Sequence, residues 1–309
     1  MCTLLKGAGT EEAPFLIYSF ENLQQIESMC GENIHFRLMN DIVVPRASRW
    51  DANWKPFQFS GIFDGNRKAI AGLQWVDDMS HDSIAFFTSI AKGSKVCNLE
   101  IVNAEFVTLG DVAGVAVSNA GVIENCCISA SLDTRHGICA GIAVHNDGRV
   151  SDCYSLVSGL SVNTAAIGIV WENSGEILNC CFSGKMESRW WISSGIVGIN
   201  RKTGVVHGCI SQGSTIGRSA RIDREDYCND IAYDYMEGIV DIAYNCKEGI
   251  VRQCFSGTGR MGVSEYKLLG FRFGPEGLWQ LHGNNLSLNW AKNKKASSSV
   301  SEELDDGRR

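Results

Sequence analysis

The chain has 309 residues, 44% of them apolar and 20% charged, and a net charge of −7. That balance excludes a disordered chain and a coiled coil, leaves room for one or two domains with a buried core, and lacks the basic footprint of an electrostatic nucleic-acid binder. No apolar stretch approaches the length of a membrane span, so no membrane insertion is expected, and the distinctive counts are 33 Gly, 4 Pro and 13 Cys.

In chain order, residues 1–13 show no basic segment followed by an apolar one, so no secretory signal is legible. A cytoplasmic location, or export by a route that leaves no such signal, is expected. Residues 18–29 read as a short helix, with Ser19 as N-cap and Phe20, Leu23 and Ile26 on one stripe. Stacked folds must close their open ends, so residues 1–48 are expected to form an N-terminal strand and helix cap. Proline is absent between Pro56 and Pro275. A residue without an N–H is excluded from central strands, and its absence over this length favours a long continuous sheet.

An internal period fills that stretch. Gly114, Gly141, Gly168 and Gly195 are 27 residues apart, and Asn119, Asn146, Asn173 and Asn200 keep the same interval, as do Cys126, Cys153 and Cys180. Cys209 comes two residues late, and Cys254 follows an insertion. Around them run short alternations of β-branched and aromatic residues, such as Val115 with Val117, Ile142 with Val144 and Ile169 with Trp171, bounded by Asn and Gly. Such strands cannot bury their faces alone, whereas stacking one unit on the next does. The expected architecture is a solenoid of parallel strands rising about 4.8 Å per coil.

Stacking assigns roles to the repeated residues. Cys126, Cys153, Cys180, Cys209 and Cys254 are expected to form an internal column of reduced thiols, since Cβ atoms one strand apart are too distant for a disulfide. From Ile123, Val150, Ile177 and Val206 to the next cysteine of the column is three residues. A bend at the residue before the cysteine (Asn125, Asp152, Asn179, Gly208) would return both side chains to the interior, and these residue types tolerate left-handed backbone. The repeated asparagines are expected to hydrogen-bond along the stack. Abundant glycine is read as turn residues. No Cys-x-x-Cys occurs, so a zinc site has no support; His136, His145 and His207 occupy different places in their units and imply no metal. No cofactor is implied.

Two interruptions are candidate binding loops. In residues 185–191, Arg189, Trp190 and Trp191 replace smaller residues. On a strand adjacent tryptophans point opposite ways, so at least one is expected at the surface, and exposed Trp beside Arg suits a protein hot spot or a sugar-stacking platform. The second is the long unit: Gly195 to Gly238 spans 43 residues, 16 more than the period, with the extra material around 218–236. It carries Arg221, Arg224, Tyr227, Tyr233 and Tyr235 as candidate binding residues. For an enzyme, Asp223, Asp226 and Asp230 would be the carboxylates to consider. Beyond it, residues 258–293 lose the repeat and are expected to close the far end, and 294–309 have the composition of a disordered tail.

The segment Phe59, Gly61, Phe63, Asp64, Gly65 and Asn66, with Ile70 and Leu73, resembles the opening segment of bacterial right-handed parallel β-helix proteins. Ala85, Phe86 and Phe87, followed by Gly93, Val96, Asn98 and Leu99, resemble the coil that follows it. The 27-residue units resemble GLUG-type repeats, which occur in adhesin-like proteins and beside the catalytic domain of immunoglobulin-A-cleaving metallopeptidases. The resemblance covers about residues 7–257 and implies an all-β, right-handed parallel β-helix with a short N-terminal capping helix. No His-Glu-x-x-His is present, so the peptidase chemistry does not carry over, and the signatures of pectin-degrading enzymes on this fold are absent.

The organisation expected is a cap over 1–48, a parallel β-helix over 49–257, a C-terminal cap over 258–293 and a tail over 294–309. The function expected is non-enzymatic binding of a protein or glycan through the side face and loops. The alternative is a polysaccharide lyase or glycoside hydrolase on the same fold.

Overall fold

The structure, a computed structural model, describes residues 5–48, 52–77 and 79–217, with shorter stretches at 228–229, 250–252, 255–256, 267, 271–273, 278–282 and 285–288. It is a β-solenoid of stacked parallel coils. One coil runs through the strands Cys139–Ala140, Ala143–Asn146, Arg149–Ser151, Tyr154–Ser155 and Ser158–Ser161. Each pairs in parallel with its equivalent one period later: Cys139 with Ala166, Ala143 with Val170, Arg149 with Glu176, Tyr154 with Cys181, and Ser158 with Lys185. Pro14, Pro45 and Pro56 lie outside the strands, where a missing N–H breaks no ladder.

Stacking begins before the repeat does. Phe15–Ile17 pairs with Phe36–Leu38, and His35 pairs onward with Ile62, so the N-terminal segment supplies coil strands as well as a helix. That helix is two single turns, Phe20–Leu23 and Ile26–Met29. Ser19 caps the first by accepting from the Asn22 N–H at 3.4 Å, and Leu23 and Ile26 are buried in the core. The first coils are filled by aromatic rings: Phe59 stacks on Phe87 at 4.6 Å, and Trp54 on Phe86 at 4.9 Å. The Phe59–Asn66 motif therefore acts as packing, and Gly61, at φ 117°, leaves room for the Ile34 carbonyl.

The interior columns follow the period. Ile123, Val150, Ile177 and Val206 stack in register and are fully buried. The bends that follow them are left-handed, with φ of 54° at Asn125, 51° at Asp152 and Asn179, and 65° at Gly208, which turns Cys126, Cys153, Cys180 and Cys209 inward. Of these, Cys126, Cys153 and Cys180 are free thiols, and all four are buried. Each lies 3.2–3.5 Å from the carbonyl two residues earlier and 3.7–3.8 Å from one in the preceding coil. Burial pushes the thiols of Cys126, Cys153 and Cys180 well above their ordinary pKa, which makes them poor nucleophiles. Cys254 lies outside the described residues. Beside this column Asn119, Asn146, Asn173 and Asn200 form a ladder in which each Nδ2 donates to the next Oδ1 at 2.7, 2.7 and 2.8 Å.

The repeated glycines sit at bends, as their sequence reading has it, but left-handed backbone is not what they supply. Gly114, Gly141, Gly168, Gly121, Gly148 and Gly175 do not have positive φ. Their role is close approach: a Cβ at Gly168 would collide with the Gly195 carbonyl and the Phe182 ring, and one at Gly175 with the Gly148 carbonyl. Asn125, Asp152 and Asn179 take the left-handed positions of the bend column, with Gly208 in the next coil.

A hairpin of two antiparallel strands, Trp279–His282 and Asn285–Leu288, belongs to the segment expected to close the far end. Its described residues lie along the flank. Phe271, Trp279, Leu286 and Leu288 pack on Cys127, Tyr154, Cys181 and Ile210, an outward-facing column drawn from four successive coils. Trp279 Nε1 donates to Asp152 Oδ1 at 3.4 Å, and Arg272 Nη2 lies 3.7 Å from Asp152 Oδ2.

Candidate functional site

Each coil turns a corner between the last strand of one sheet and the first of the next. At residues 189–192 that corner joins Lys185–Ser188 to Ser193–Ser194. Its backbone is fixed at several points. The Arg189 N–H donates to the Ser161 carbonyl at 3.0 Å, and the Trp191 N–H to Ser188 Oγ at 3.0 Å. Ser188 Oγ in turn donates to the Thr164 carbonyl at 2.5 Å, and Ile192 is buried.

Because residues 189–191 form a bend and not a strand, the alternation expected of adjacent tryptophans does not apply. Trp190 is 57% and Trp191 39% exposed. The Trp191 ring leans on Trp171, with centroids 6.0 Å apart and planes tilted by 53°. Trp171 itself lies over Gly198, where a Cβ would collide with the indole. The Trp191 ring thus stands on a packed floor.

The same four-residue corner recurs at 135–138 and 162–165, held in step by the Val162 N–H to the Thr134 carbonyl at 2.9 Å and the Asn163 N–H to the Arg135 carbonyl at 3.1 Å. One row along the stack therefore reads His136, Asn163, Trp190, with Asn163 Nδ2 and His136 Nδ1 3.0 Å apart. The neighbouring row carries Arg135 and Arg189. Half-buried Asp133 lies on the adjoining strand. Burial pushes its carboxyl pKa up, and Arg189 and Arg135 pull in the opposite direction. Trp171, Asp133 and Asn163 did not stand out in the sequence, although the 27-residue offset linking His136, Asn163 and Trp190 is legible there.

Arg221, Arg224, Tyr227, Tyr233 and Tyr235, with Asp223, Asp226 and Asp230, lie outside the described residues. The strands that flank them locate the insertion in the chain. Cys228–Asn229 pairs with Ser193–Ser194, so the extra material is divided. Ten residues, 218–227, connect Gly217 to Cys228 where the preceding coil uses four, and the remainder falls between Asn229 and Ile250. The first part joins the same two positions of the coil as Arg189, Trp190 and Trp191 do one coil earlier.

Elsewhere, a cavity of about 280 Å³ in the first coils is flanked by the exposed Arg46 and Glu105. On the face of another sheet Glu172 bridges Arg201, at 2.5 Å, and His145, at 3.4 Å. Among the described residues no group of three His, Cys, Asp or Glu side chains is arranged to hold a metal ion, and no helix is long and apolar enough to cross a membrane.

No protein-family profile matches the chain. A 129-residue stretch, 38% of the chain, is 28% identical to a candidate Gly-rich membrane protein of Evansella cellulosilytica. A match of the same length is 29% identical to halomucin of Haloquadratum walsbyi. These matches span 15% and 1% of the relatives' own lengths. Among solved structures, a candidate immunoglobulin A1 protease from Bacteroides ovatus aligns over 93% of this chain and 95% of its own, with a TM-score of 0.57 and 17% identity. At that identity the likeness is one of fold.

Proposed function

We propose that this chain is a non-catalytic binding module that engages a protein or glycan through the side face and corner loops of its solenoid, as adhesin-like and virulence-associated modules of GLUG-type repeats do. The observation that carries the reading is the exposure of Trp190 at 57% on a hydrogen-bonded corner. An indole presents roughly 150–250 Å² for burial, so about 100 Å² of it stays in water, and covering that area is worth about 3 kcal/mol. The hydrogen-bonded backbone of the corner lowers the ordering left to be done on binding. The fold-level likeness to a chain named as a candidate immunoglobulin A1 protease is consistent with this role, and so are matches to short parts of two much longer proteins. Arg221, Arg224, Tyr227, Tyr233 and Tyr235, in the long unit, are further candidate binding residues under this reading.

The test compares the wild-type chain with a Trp190→Ala/Trp191→Ala variant for retention of immobilised surface proteins and glycans, alongside an assay of reducing-end release from polysaccharides. Retention by the wild type that falls at least tenfold in the variant, with no reducing ends released, is expected. Chain-dependent release of reducing ends would replace the binding reading with the enzymatic one.

A further inference from the structure

Resting on the binding reading above, we infer that the ligand of the tryptophan corner is a glycan, stacked on Trp190 and held through its hydroxyls by Asp133 and Asn163. Three features distinguish this from a protein site. First, the aromatic surface is small and its surroundings are polar: Arg135, His136, Asn163 and Arg189 are exposed around it. A protein interface instead needs about 800 Å² per partner around an apolar, charge-depleted centre.

Second, the strands that meet here are already paired with the coils on either side. Ser158–Ser161 pairs with Ser131–Thr134 and with Lys185–Ser188, so no free sheet edge is offered to an extended peptide. Third, the polar groups are of the kind that reads hydroxyls. Asp133 is half-buried on the strand that leads into the corner carrying Arg135, and a carboxyl reads hydroxyls in either protonation state, by accepting from them as the anion or by also donating as the acid. Asn163, fixed by its contact with His136 at 3.0 Å, presents an amide one coil from the indole. A sugar ring has an apolar C–H face and a rim of hydroxyls. That pairing matches an exposed indole, apolar in body and amphipathic at its tip, with an amide one coil along the same row and a carboxyl two coils along on the adjoining strand. The row along the stack, with rungs about 4.8 Å apart, runs parallel to the solenoid axis, so the ligand is an oligosaccharide laid along the coils.

The full-length chain is applied to an array of neutral and acidic oligosaccharides, and the strongest responder is titrated in solution against wild type, Trp190→Ala, Asp133→Ala and Asn163→Ala. At least a tenfold loss of affinity is expected for Trp190→Ala and a several-fold loss for each of the other two, with thermal midpoints held close to wild type because Trp190 and Asn163 are exposed. In the wild type, the oligosaccharide should also protect a fraction of the tryptophan emission from acrylamide quenching, a readout that needs no variant. A chain that retains no oligosaccharide, or one whose glycan affinity is untouched by Trp190→Ala and whose emission is not protected, overturns the inference. If Trp190→Ala instead abolishes capture of a protein and leaves glycans unbound, the glycan assignment falls while the binding reading stands.

Discussion

Cys180 and Cys181 are neighbours in the chain and lie on opposite sides of the solenoid wall. The left-handed backbone at Asn179, φ 51°, turns Cys180 into the interior column with Cys153 and Cys209. Cys181 is left facing outward beneath Trp279 and Leu286. Cys126 and Cys127 are divided in the same way. All four are buried, but by different parts of the molecule.

That division predicts selective labelling. Trp279→Ala removes the largest side chain of the flanking hairpin and should cost about 3–5 kcal/mol of its docking, the usual price of a buried aromatic. Native-state alkylation followed by peptide mapping should then find Cys127 and Cys181 reactive, with Cys126, Cys153 and Cys180 still protected. In the wild type, half-buried Cys30 should react ahead of both sets. Equal labelling of inner and outer cysteines in the variant would mean that the hairpin holds the coils together and does not merely cover them.

The asparagine ladder makes a second, larger prediction. Asn146 donates to Asn173 and accepts from Asn119, both at 2.7 Å and in fully buried surroundings. Asn146→Ala would leave one donor and one acceptor without these partners, at about 1–3 kcal/mol each. Asn119 stands at the start of the ladder, opposite Ile90 of the preceding coil, so removing it breaks one side-chain rung and not two. Urea unfolding should therefore show Asn146→Ala destabilised more than Asn119→Ala; equal losses would indicate that the rungs do not act in series.

A third substitution tests the glycine reading. At Gly168 an added Cβ meets the Gly195 carbonyl and the Phe182 ring, so Gly168→Ala should destabilise by about 1–3 kcal/mol through overpacking. If the position were used for its backbone freedom, high-φ strain would be the cause instead, but Gly168 is absent from the positive-φ glycines. A loss of stability in Gly168→Ala that is relieved by Phe182→Leu would confirm crowding as the source.

What was legible beforehand was whatever the period repeats. The cysteine, asparagine and apolar columns stack because each equals its neighbour at an offset of 27 residues, and a one-dimensional fold turns such offsets directly into contacts. The left-handed bends at Asn125, Asp152 and Asn179 followed from a break in strand alternation. The flank position of the hairpin did not follow, because nothing in the sequence links Trp279 to Asp152, 127 residues apart. Nor did the floor beneath Trp191: Trp171 reads as one more strand residue until Gly198 in the next coil makes room for its ring. The corner's polar partners, Asp133 and Asn163, come from different coils and different sides of a turn, so only the stacked geometry groups them.

Asp152 carries the last prediction. Its neighbours in the bend column are Asn125 and Asn179, so this coil places a carboxyl where the others place an amide. Burial pushes its pKa above the usual carboxylate range, and the Trp279 N–H and Arg272 pull it back only in part. A carboxyl whose pKa is higher folded than unfolded binds its proton more tightly in the native state. Its contribution to stability is therefore fully present below the unfolded value of about 3.9 and is lost as pH rises through the folded pKa. Asp152→Asn keeps a side chain suited to left-handed backbone and an Oδ1 that accepts from Trp279. It gives up only an ion pair to the exposed Arg272, and such pairs are worth about 0–1 kcal/mol. Thermal unfolding from pH 3 to pH 8 should show the wild type losing stability relative to Asp152→Asn as pH rises, with the variant equal or more stable at pH 7. A wild type that gains on the variant with rising pH would show that Arg272 and Trp279 outweigh the cost of burying the charge.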